Sequence, residues 1–232
     1  MKKIVVLTGA GMSAESGIAT FRDSGGLWDK YPVEQVATPE GFAQNPKLVL
    51  DFYNIRRKEL LSSEPNPGHV GLAELEKDFE VRIITQNIDN LHEQAGSSSV
   101  LHLHGELMKA QSVKNPGLIV ELTEKDNYEI QVGDKGSDGA QLRPFIVWFG
   151  EAVPMIEPAI ELSAQADIYV IIGTSLNVYP AAGLLNYVPK DVPVYLIDPK
   201  EVTAYREGIR IIRKGASEGV AELAGELKKL YL

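Results

Sequence analysis

One polar segment of the chain carries the residue types needed to hold the amide group of a nucleotide. The segment TQNIDNLH, residues 85–92, follows an apolar β-branched run and contains Gln86, Asn87 and Asp89. Amide and carboxylate side chains together can donate to and accept from another amide, such as that of a nicotinamide ring. The same pattern is typical of a turn that caps the next helix. The sequence alone leaves both interpretations open.

The segment LHLHG, residues 101–105, supplies a candidate for proton transfer. Leu101 and Leu103 alternate with His102 and His104, as on a half-buried strand. His104 precedes a glycine at the predicted strand end, where its side chain can reach a cleft. An imidazole with a pKa near its usual value is a natural general base at neutral pH. For His102 the pattern favours a hydrated surface histidine.

The N-terminal segment LTGAGMSA suggests a phosphate-binding turn. Gly9, Gly11 and Ala14 match the spacing G-x-G-x-x-G/A at the end of a buried strand, which is typical of a turn that opens a helix at a dinucleotide site. A tight turn without a ligand is the alternative. The acidic residue expected about 20 positions later is missing, because the chain continues into the glycine-rich segment TFRDSGGLW.

Small or acidic residues end three later strands. Gly173, Thr174 and Ser175 suit a phosphate or a ribose, Asp198 can accept from the hydroxyls of a ribose, and Ala216 leaves space for an adenine ring. Each signal is weak alone. We expect all of them at the same edge of the sheet as the first segments, because open α/β sheets bind ligands outside the carboxyl ends of their strands.

The alternation of apolar runs and helical patterns predicts the fold. Strands are predicted at 2–9, 79–87, 99–105, 144–150, 166–175, 192–198 and 208–215, and helices at 39–62, 67–77, 155–165, 180–187 and 217–230. This order predicts an α/β fold with a Rossmann-like, doubly wound parallel sheet. Residues 29–76 and 106–142 interrupt the alternation. We therefore predict a Rossmann-type dinucleotide-binding domain of residues 1–28, 77–105 and 143–232, and a second, smaller domain formed by the two insertions.

Composition excludes several classes of function. The net charge is −9 with one short basic run, so a nucleic-acid partner is not expected. The chain has no cysteine, which excludes disulfides, thiol nucleophiles and cysteine-ligated zinc. No stretch approaches the roughly 20 apolar residues that span a bilayer, and the N-terminal apolar run is short for a signal peptide. We expect a soluble cytoplasmic protein without a membrane partner.

One helical stripe contains an arginine at an apolar spacing. Val49, Tyr53, Arg56 and Leu60 share a face of the predicted helix. Periodicity alone favours an arginine that packs its stem on the core and extends its head into water.

Taken together, these motifs resemble the sirtuins, NAD-dependent protein-lysine deacylases, and among them the bacterial class III members. The matching segments are GAGMSAESGIATFRD, TQNIDNLH, LHGEL, LRPFIVWFGE, GTSLNVYPAA and VATPEGFAQNP, in order along most of the chain. The resemblance implies that NAD is a co-substrate and that acylated lysine side chains of proteins are the partners. The oligomeric state stays open.

The resemblance also implies a role for each site residue. His104 would be the catalytic base. Residues of the cofactor site would be Gly9, Ala10, Gly11, Glu15, Phe21, Arg22, Gln86, Asn87, Ile88, Asp89, Gly173, Thr174, Ser175, Asp198 and Ala216. The substrate lysine would lie along Val147, Trp148 and Phe149, its backbone pairing as an added strand. Tyr53 and Arg56 would contact a carboxylate at the end of the acyl group.

The implied reaction transfers the acyl group to ADP-ribose and releases nicotinamide and free lysine. The Tyr53 and Arg56 pair favours succinyl- or malonyl-lysine over acetyl-lysine as substrate. ADP-ribosyl transfer or NAD hydrolysis in the same cleft is one alternative, and a non-catalytic NAD or ADP-ribose sensor is another. The family normally carries two Cys-x-x-Cys pairs, near Lys109 and near Lys135 and Asp138, and this chain has neither. We therefore expect no metal, and a small lobe held by packing and pairing of Leu118, Ile119, Val120, Tyr128, Ile130 and Val132.

Overall fold

The computed structural model describes residues 1–20, 30–123 and 127–232. Its strands are β1 Lys3–Thr8, β2 Glu80–Thr85, β3 Val100–His102, β4 Gly105–Ser112, β5 Ile119–Glu121, β6 Leu142–Ile146, β7 Ile168–Ile172, β8 Val194–Ile197 and β9 Arg210–Ile212. Its α-helices are α1 Val33–Val36, α2 Pro39–Gln44, α3 Pro46–Leu61, α4 Pro67–Leu75, α5 Leu91–Gln94, α6 Ile156–Ala164 and α7 Ala216–Tyr231.

The predicted parallel sheet is confirmed. Six strands lie in the order β3-β2-β1-β7-β8-β9, and each neighbouring pair is parallel. The strand order reverses between β1 and β7. An open α/β sheet forms its ligand crevice at such a point.

The sheet is buried on both faces, which explains the continuous apolar runs of its strands. On one face, α4 and α7 contribute Leu72, Leu75, Val220 and Leu223 to a core with Ile4 and Val6. On the other face, α6 and residues 181–188 pack on Val5 and Leu7. The sheet is therefore doubly wound, as the alternation predicts.

Two predicted helices differ in the structure. The helix predicted over 39–62 is divided at Asn45, because Pro46 lacks the N–H that a helix interior requires. Asn45 caps α3 instead, its side-chain oxygen accepting from the Leu48 N–H at 3.1 Å. The segment predicted as a helix at 180–187 is 3₁₀ over Ala181–Tyr187.

The second sheet is small and antiparallel, in the order β5-β4-β6. The strand predicted at 99–105 is divided here: β3 ends at His102 in the parallel sheet, and β4 begins at Gly105 in the small one. Gly105 has a φ of 83°, where residues with a side chain are strained. β6 pairs with β4 in the small sheet. The predicted domain boundary at 143 instead assigns most of β6 to the larger domain. The domain boundaries stay a prediction.

The small lobe is held by a core and by two buried side chains of α3. The Asn54 side chain forms a pair of bonds with the backbone of Ile130, at 3.0 Å to its carbonyl and 2.9 Å from its N–H. Arg57, fully buried, donates to the Leu107 carbonyl at 2.8 Å and to Asn54 Oδ1 at 2.6 Å. We call this set, Asn54, Arg57, Leu107 and Ile130, the α3 clamp. It connects both insertions to each other.

The packing expected for the small lobe is right in part. Ile130 is buried with Leu50, Ala110 and Leu122, and Val120 packs against that cluster. Ile119 is 45% exposed but pairs with Gln111 between β5 and β4, as the prediction allows. Val132 is 58% exposed and lies outside the strands, so for this residue the prediction is wrong. Asp138 accepts a bond of 2.5 Å from the Ser112 hydroxyl, which ties the two segments where the family's cysteine pairs would lie. None of the described helices is long and apolar enough to cross a membrane.

Candidate functional site

The predicted site segments converge at the carboxyl edge of the parallel sheet. The segment after β1 contains Gly9, Ala10 and Gly11, and the segment after β7 begins at Gly173, on either side of the point where the strand order reverses. Gln86 follows β2 and connects the two, because its Nε2 donates to Thr174 Oγ1 at 3.0 Å.

The glycines of the first turn allow two backbone segments to touch. The Gly11 N–H donates to the Gly173 carbonyl at 2.9 Å. A Cβ atom at Gly9 or Gly11 would lie 2.7 Å from Thr174 or Gly173 atoms, closer than packing permits. The helix expected after this turn is wrong: residues 10–12 and 14–16 are 3₁₀ turns. Within residues 9–20 the structure therefore offers no α-helix N-terminus for a phosphate.

Asn87 and Asp89 belong to a buried polar network after β2. The Asn87 amide donates to the Gly9 carbonyl at 3.0 Å and to Ser13 Oγ at 3.1 Å. Ser13 in turn donates to Asp89 Oδ2 at 2.9 Å, and the Leu91 N–H donates to Asp89 Oδ1 at 3.2 Å. Burial raises the pKa of the Asp89 carboxyl, while these two bonds oppose the rise. The cap interpretation of this segment is right, since Asp89 accepts from the first N–H of α5, and the role at a nicotinamide stays a prediction.

Two buried histidines that the sequence did not indicate extend this network. His69 Nδ1 accepts from the Asn66 N–H at 3.2 Å, so Nε2 carries the proton and faces Ser13 Oγ at 3.5 Å. The His92 ring lies 4.8 Å from that of His69, edge to face, with Nε2 3.2 Å from Thr8 Oγ1. The capping-box spacing of Asn66 and His69 was the available signal.

We expect this pair to make the protein sensitive to mild acid. Burial lowers the pKa of His69 to about 4 and that of His92 well below its usual value. Between these pKa values the unfolded chain binds protons on the two histidines and the folded chain does not. The free energy of unfolding is therefore highest above about pH 6.5 and decreases as the pH falls toward 4. A shift of that size for His69 corresponds to about 3 kcal/mol.

Thermal unfolding of His69→Asn at several pH values checks this prediction. Asparagine can still accept from the Asn66 N–H but does not titrate, so the loss of stability in acid should be smaller than in the wild type. His102→Gln is the control, because the pKa of His102 is raised and its removal should not protect against acid. Equal acid slopes for His69→Asn and the wild type would contradict the prediction.

His104 lies in the bend between the two sheets with its tautomer fixed. Its Nδ1 donates to the Gln86 carbonyl at 2.9 Å, which leaves Nε2 unprotonated and able to accept a proton. Burial lowers the pKa of the imidazole, and the bond that Nδ1 donates to the Gln86 carbonyl opposes this only partly. A histidine so placed is neutral at physiological pH, as a general base must be.

The interpretation of His102 as a hydrated surface histidine is wrong. Its side chain is 7% exposed, and its Nε2 lies 2.8 Å from Glu93 Oε1. Its Nδ1 lies 3.1 Å from the carbonyl oxygen of Asn87. The alternation of LHLH did not reveal this, because α5 covers the face of β3 that an isolated strand would leave in water.

A pocket of about 390 Å³, including its open mouth, lies between the sheet edge and α3. Its polar lining residues are Ser13, Arg56, Asn87 and Asp89. Its apolar lining residues are Ala10, Ile18, Ala19, Ile88 and Leu107. Arg56 is 5% exposed and its NH1 lies 2.5 Å from Glu59 Oε2. The interpretation of Arg56 as an arginine with its head in water is therefore wrong.

Tyr53 lies deeper than Arg56 and bonds the segment after β6. Its hydroxyl accepts from Trp148 Nε1 at 3.0 Å, and the Tyr53 ring is 3% exposed. Burial raises the pKa of this phenol. Arg143 stacks on the Trp148 ring at 3.4 Å and binds Glu151 with two nitrogens, at 2.6 and 3.0 Å. These contacts hold Trp148 rigidly, so Tyr53 is oriented from one side.

The remaining predicted residues are placed as follows. The Val147 and Phe149 N–H groups donate to the His104 and Ala37 carbonyls, at 2.9 and 3.0 Å, so an added peptide strand would use other backbone groups. Ser175 is exposed at the sheet edge. Asp198 follows β8 and accepts from the Lys200 N–H at 2.8 Å.

Ala216 and Glu15 meet at the start of α7. Ala216 is buried as its first residue, and the Glu15 carboxylate accepts from the Ser217 N–H at 3.2 Å. Glu15 therefore links the first loop to the last helix. Phe21 and Arg22 lie outside the described residues.

No group of three or more histidine, aspartate or glutamate side chains in the described ranges could hold a metal ion. We expect metal analysis of the purified protein to find no tightly bound zinc, because the family's zinc ligands are thiolates and the chain has no cysteine. One zinc ion per chain that resists dialysis would contradict this.

Comparison with known proteins agrees with this geometry. The family model described as Sir2 family matches residues 9–180. The chain belongs to the Sir2 family. A protein named NAD-dependent protein deacylase from Bacteroides thetaiotaomicron is 66% identical over 227 residues, covering 96% of this chain and 97% of the relative. Another of that name from Helicobacter pylori is 51% identical, covering 98% of both chains.

Solved structures of the Sir2 family share the fold. A Sir2 homologue mutant in complex with ADP ribose is 37% identical with a TM-score of 0.89, covering 99% of this chain and 93% of that one. A Sir2 homologue in complex with NAD is 36% identical with a TM-score of 0.86, covering 99% and 90%. The similarity extends over both lobes of the Sir2 fold.

Proposed function

We propose that the protein is an NAD-dependent protein deacylase that prefers lysine side chains carrying an acidic acyl group. His104 is the observation that carries the enzymatic part. It is a partly buried imidazole that follows β3 at the carboxyl edge of the sheet, and its Nδ1 bond to the Gln86 carbonyl leaves Nε2 able to accept a proton. The family and the names of its relatives support the same activity.

NAD fits this edge as the co-substrate. Ala10, Ile88 and Asp89 line the pocket, and the polar network through Asn87 holds their backbone in place. In this proposal Asp89 and the neighbouring backbone contact the nicotinamide amide. Gly173, Thr174 and Ser175 serve the phosphates and ribose, and the end of β8 serves the adenosine.

The proposed role of His104 is to take up one proton. The Nδ1 bond to Gln86 keeps the lone pair of Nε2 available. The acyl oxygen of the substrate would first displace nicotinamide from C1′ of the ribose. His104 would then accept a proton from the ribose hydroxyls, which lets the 2′-oxygen attack the acyl carbon, and the C–N bond to the lysine would break with the uptake of one water molecule. The products are free lysine, nicotinamide and acylated ADP-ribose.

The acyl preference rests on Arg56. A buried arginine in the wall of a pocket needs a negative partner, and here that partner is the half-exposed Glu59 carboxylate. A carboxylate at the end of a succinyl or malonyl group can bind the same guanidinium. An acetyl group has no terminal carboxylate that could bind this guanidinium. We infer that acidic acyl groups are the preferred ones and that acetyl-lysine is a weaker substrate.

The test is product analysis on peptides that carry acetyl-, succinyl- or malonyl-lysine. The proposal expects acylated ADP-ribose in amounts equal to the nicotinamide released, with the highest efficiency for the acidic acyl groups. Nicotinamide release without acylated ADP-ribose would instead indicate NAD hydrolysis or ADP-ribosyl transfer. Binding of NAD without any nicotinamide release would indicate a sensor.

We also expect a preference for NAD over NADP. Asp198 directly follows β8 at the sheet edge, where an adenosine 2′-phosphate would meet a negative charge. A charge repulsion of this kind should raise the KM for NADP and leave the maximal rate less affected. Steady-state kinetics with both nucleotides, for the wild type and Asp198→Asn, measure it. Equal KM values in the wild type would contradict this role for Asp198.

A further inference from the structure

The two nitrogen atoms of the His102 imidazole both face hydrogen-bond acceptors. Nε2 lies 2.8 Å from a Glu93 carboxylate oxygen, and Nδ1 lies 3.1 Å from the carbonyl oxygen of Asn87. Neither a carboxylate nor a carbonyl oxygen can donate. A neutral imidazole carries a single N–H, so in that form one of the two contacts would bring two acceptors together at hydrogen-bond distance.

We propose that His102 is a positioning residue that works as an imidazolium: its two N–H groups bond Glu93 on α5 and the Asn87 carbonyl, and so fix the backbone of the segment that receives the nicotinamide. This rests on the proposed function, because it assigns Asn87–Asp89 to NAD. His102 does not touch the substrate and acts through Asn87.

The surroundings favour the charged form. Burial alone would lower the pKa of His102, but the bond and charge of Glu93, helped by Glu106 on β4, raise it above its usual value. Asp89, in the loop after β2, also faces this charge, which opposes the rise that burial causes in the pKa of the Asp89 carboxyl. Of the nearby basic groups, His92 on α5 is held neutral, and Lys109 on β4 helps to lower the pKa of the Glu93 carboxyl.

His102 and His104, two residues apart, thus require opposite protonation states. His104 must be neutral to accept a proton, and burial lowers its pKa. His102 must be charged to hold Asn87. The enzyme is active between the pKa of His104 and the pKa of His102. Deprotonation of His102 therefore sets the alkaline limit of activity. Above that limit one N–H is lost, and the KM for NAD should rise about 2- to 10-fold, as expected for one hydrogen bond, with a smaller change in kcat.

Glu93→Gln provides a rescue that distinguishes this role from simple packing. The glutamine amide can donate, so a neutral His102 would accept from it with Nε2 and still donate to Asn87 with Nδ1. In Glu93→Gln the alkaline rise in KM should therefore disappear. Glu106→Gln is the matched control: it removes a nearby charge without touching either bond of His102, and should shift the alkaline limit without abolishing it. His102→Gln should raise the KM for NAD at every pH.

Nitrogen-15 NMR of the histidine rings tests the protonation state without any activity. At neutral pH the full-length wild type should show His102 protonated on both nitrogens, and His69, His92 and His104 on one. In Glu93→Gln, His102 should lose a proton at a lower pH than in the wild type.

A neutral His102 in the wild type at neutral pH would overturn the proposal. So would an alkaline rise in KM that persists unchanged in Glu93→Gln. Failure of the proposed function is a separate result, since a wild type that releases no nicotinamide would still give its NMR titration.

Discussion

Replacing His104 by alanine is expected to abolish deacylation while largely sparing NAD binding. The imidazole supplies a lone pair held at the right place by the Gln86 carbonyl, and loss of a general base typically lowers the rate on the order of 10²- to 10⁴-fold. The backbone contacts that shape the nucleotide site, such as Gly11 to Gly173, do not involve this side chain. Binding should therefore change little.

Two measurements check the His104→Ala prediction. Single-turnover release of acylated ADP-ribose reports the chemical step, and calorimetric titration with NAD reports binding. Glu121→Gln, an exposed position on β5, controls for handling of a variant protein. A variant with more than half of wild-type turnover would remove His104 from the mechanism, and one that loses NAD binding as well would make it a structural residue.

The second large effect concerns Arg56→Met. A bond to a charged group contributes roughly 1.5–3 kcal/mol, which is on the order of 10- to 100-fold in efficiency. We expect a loss of that size on succinyl-lysine peptides. Methionine fills the buried space of the arginine stem, so activity on acetyl-lysine should hold or rise. The measurement is kcat/KM on both peptides.

Two further variants sharpen this test. Lys58→Met removes an exposed positive charge from the same helix and should leave the ratio of the two activities unchanged. Tyr53→Phe should lose less on succinyl-lysine than Arg56→Met does, and should also unfold more easily, because Trp148 Nε1 then has no acceptor at Tyr53. If Arg56→Met lowers both activities equally, Arg56 only stabilises the fold.

The sequence predicted the parallel sheet well because its strands are buried on both faces and therefore read as continuous apolar runs. It predicted helix ends less well: Pro46 was passed over inside a predicted helix, and the 181–187 segment has helical spacing but 3₁₀ geometry. Periodicity describes which face is apolar, and it is insensitive to the hydrogen-bond pattern beneath.

The site was predictable where residues follow strand ends, and not where burial decides the chemistry. His104 and Asn87 were found because topology brings strand ends to one edge. His92 was missed because its partner Thr8 is distant in sequence, and His69 was missed because its capping-box spacing to Asn66 was not used. The state of His102 depends on Glu93, nine residues away, which only the packing of α5 on β3 brings within reach.

The α3 clamp makes a loop without regular structure depend on a helix 76 residues earlier in the chain. Ile130 lies in no strand, yet its amide hydrogen is bound by the buried Asn54 side chain. Such an amide can exchange with solvent deuterium only when its hydrogen bond to Asn54 on α3 breaks. It should therefore exchange as slowly as the amides in the core of the helix. A succinylated peptide held by Arg56 on the same helix would slow that exchange further, and the loop would report on the acyl group from a distance.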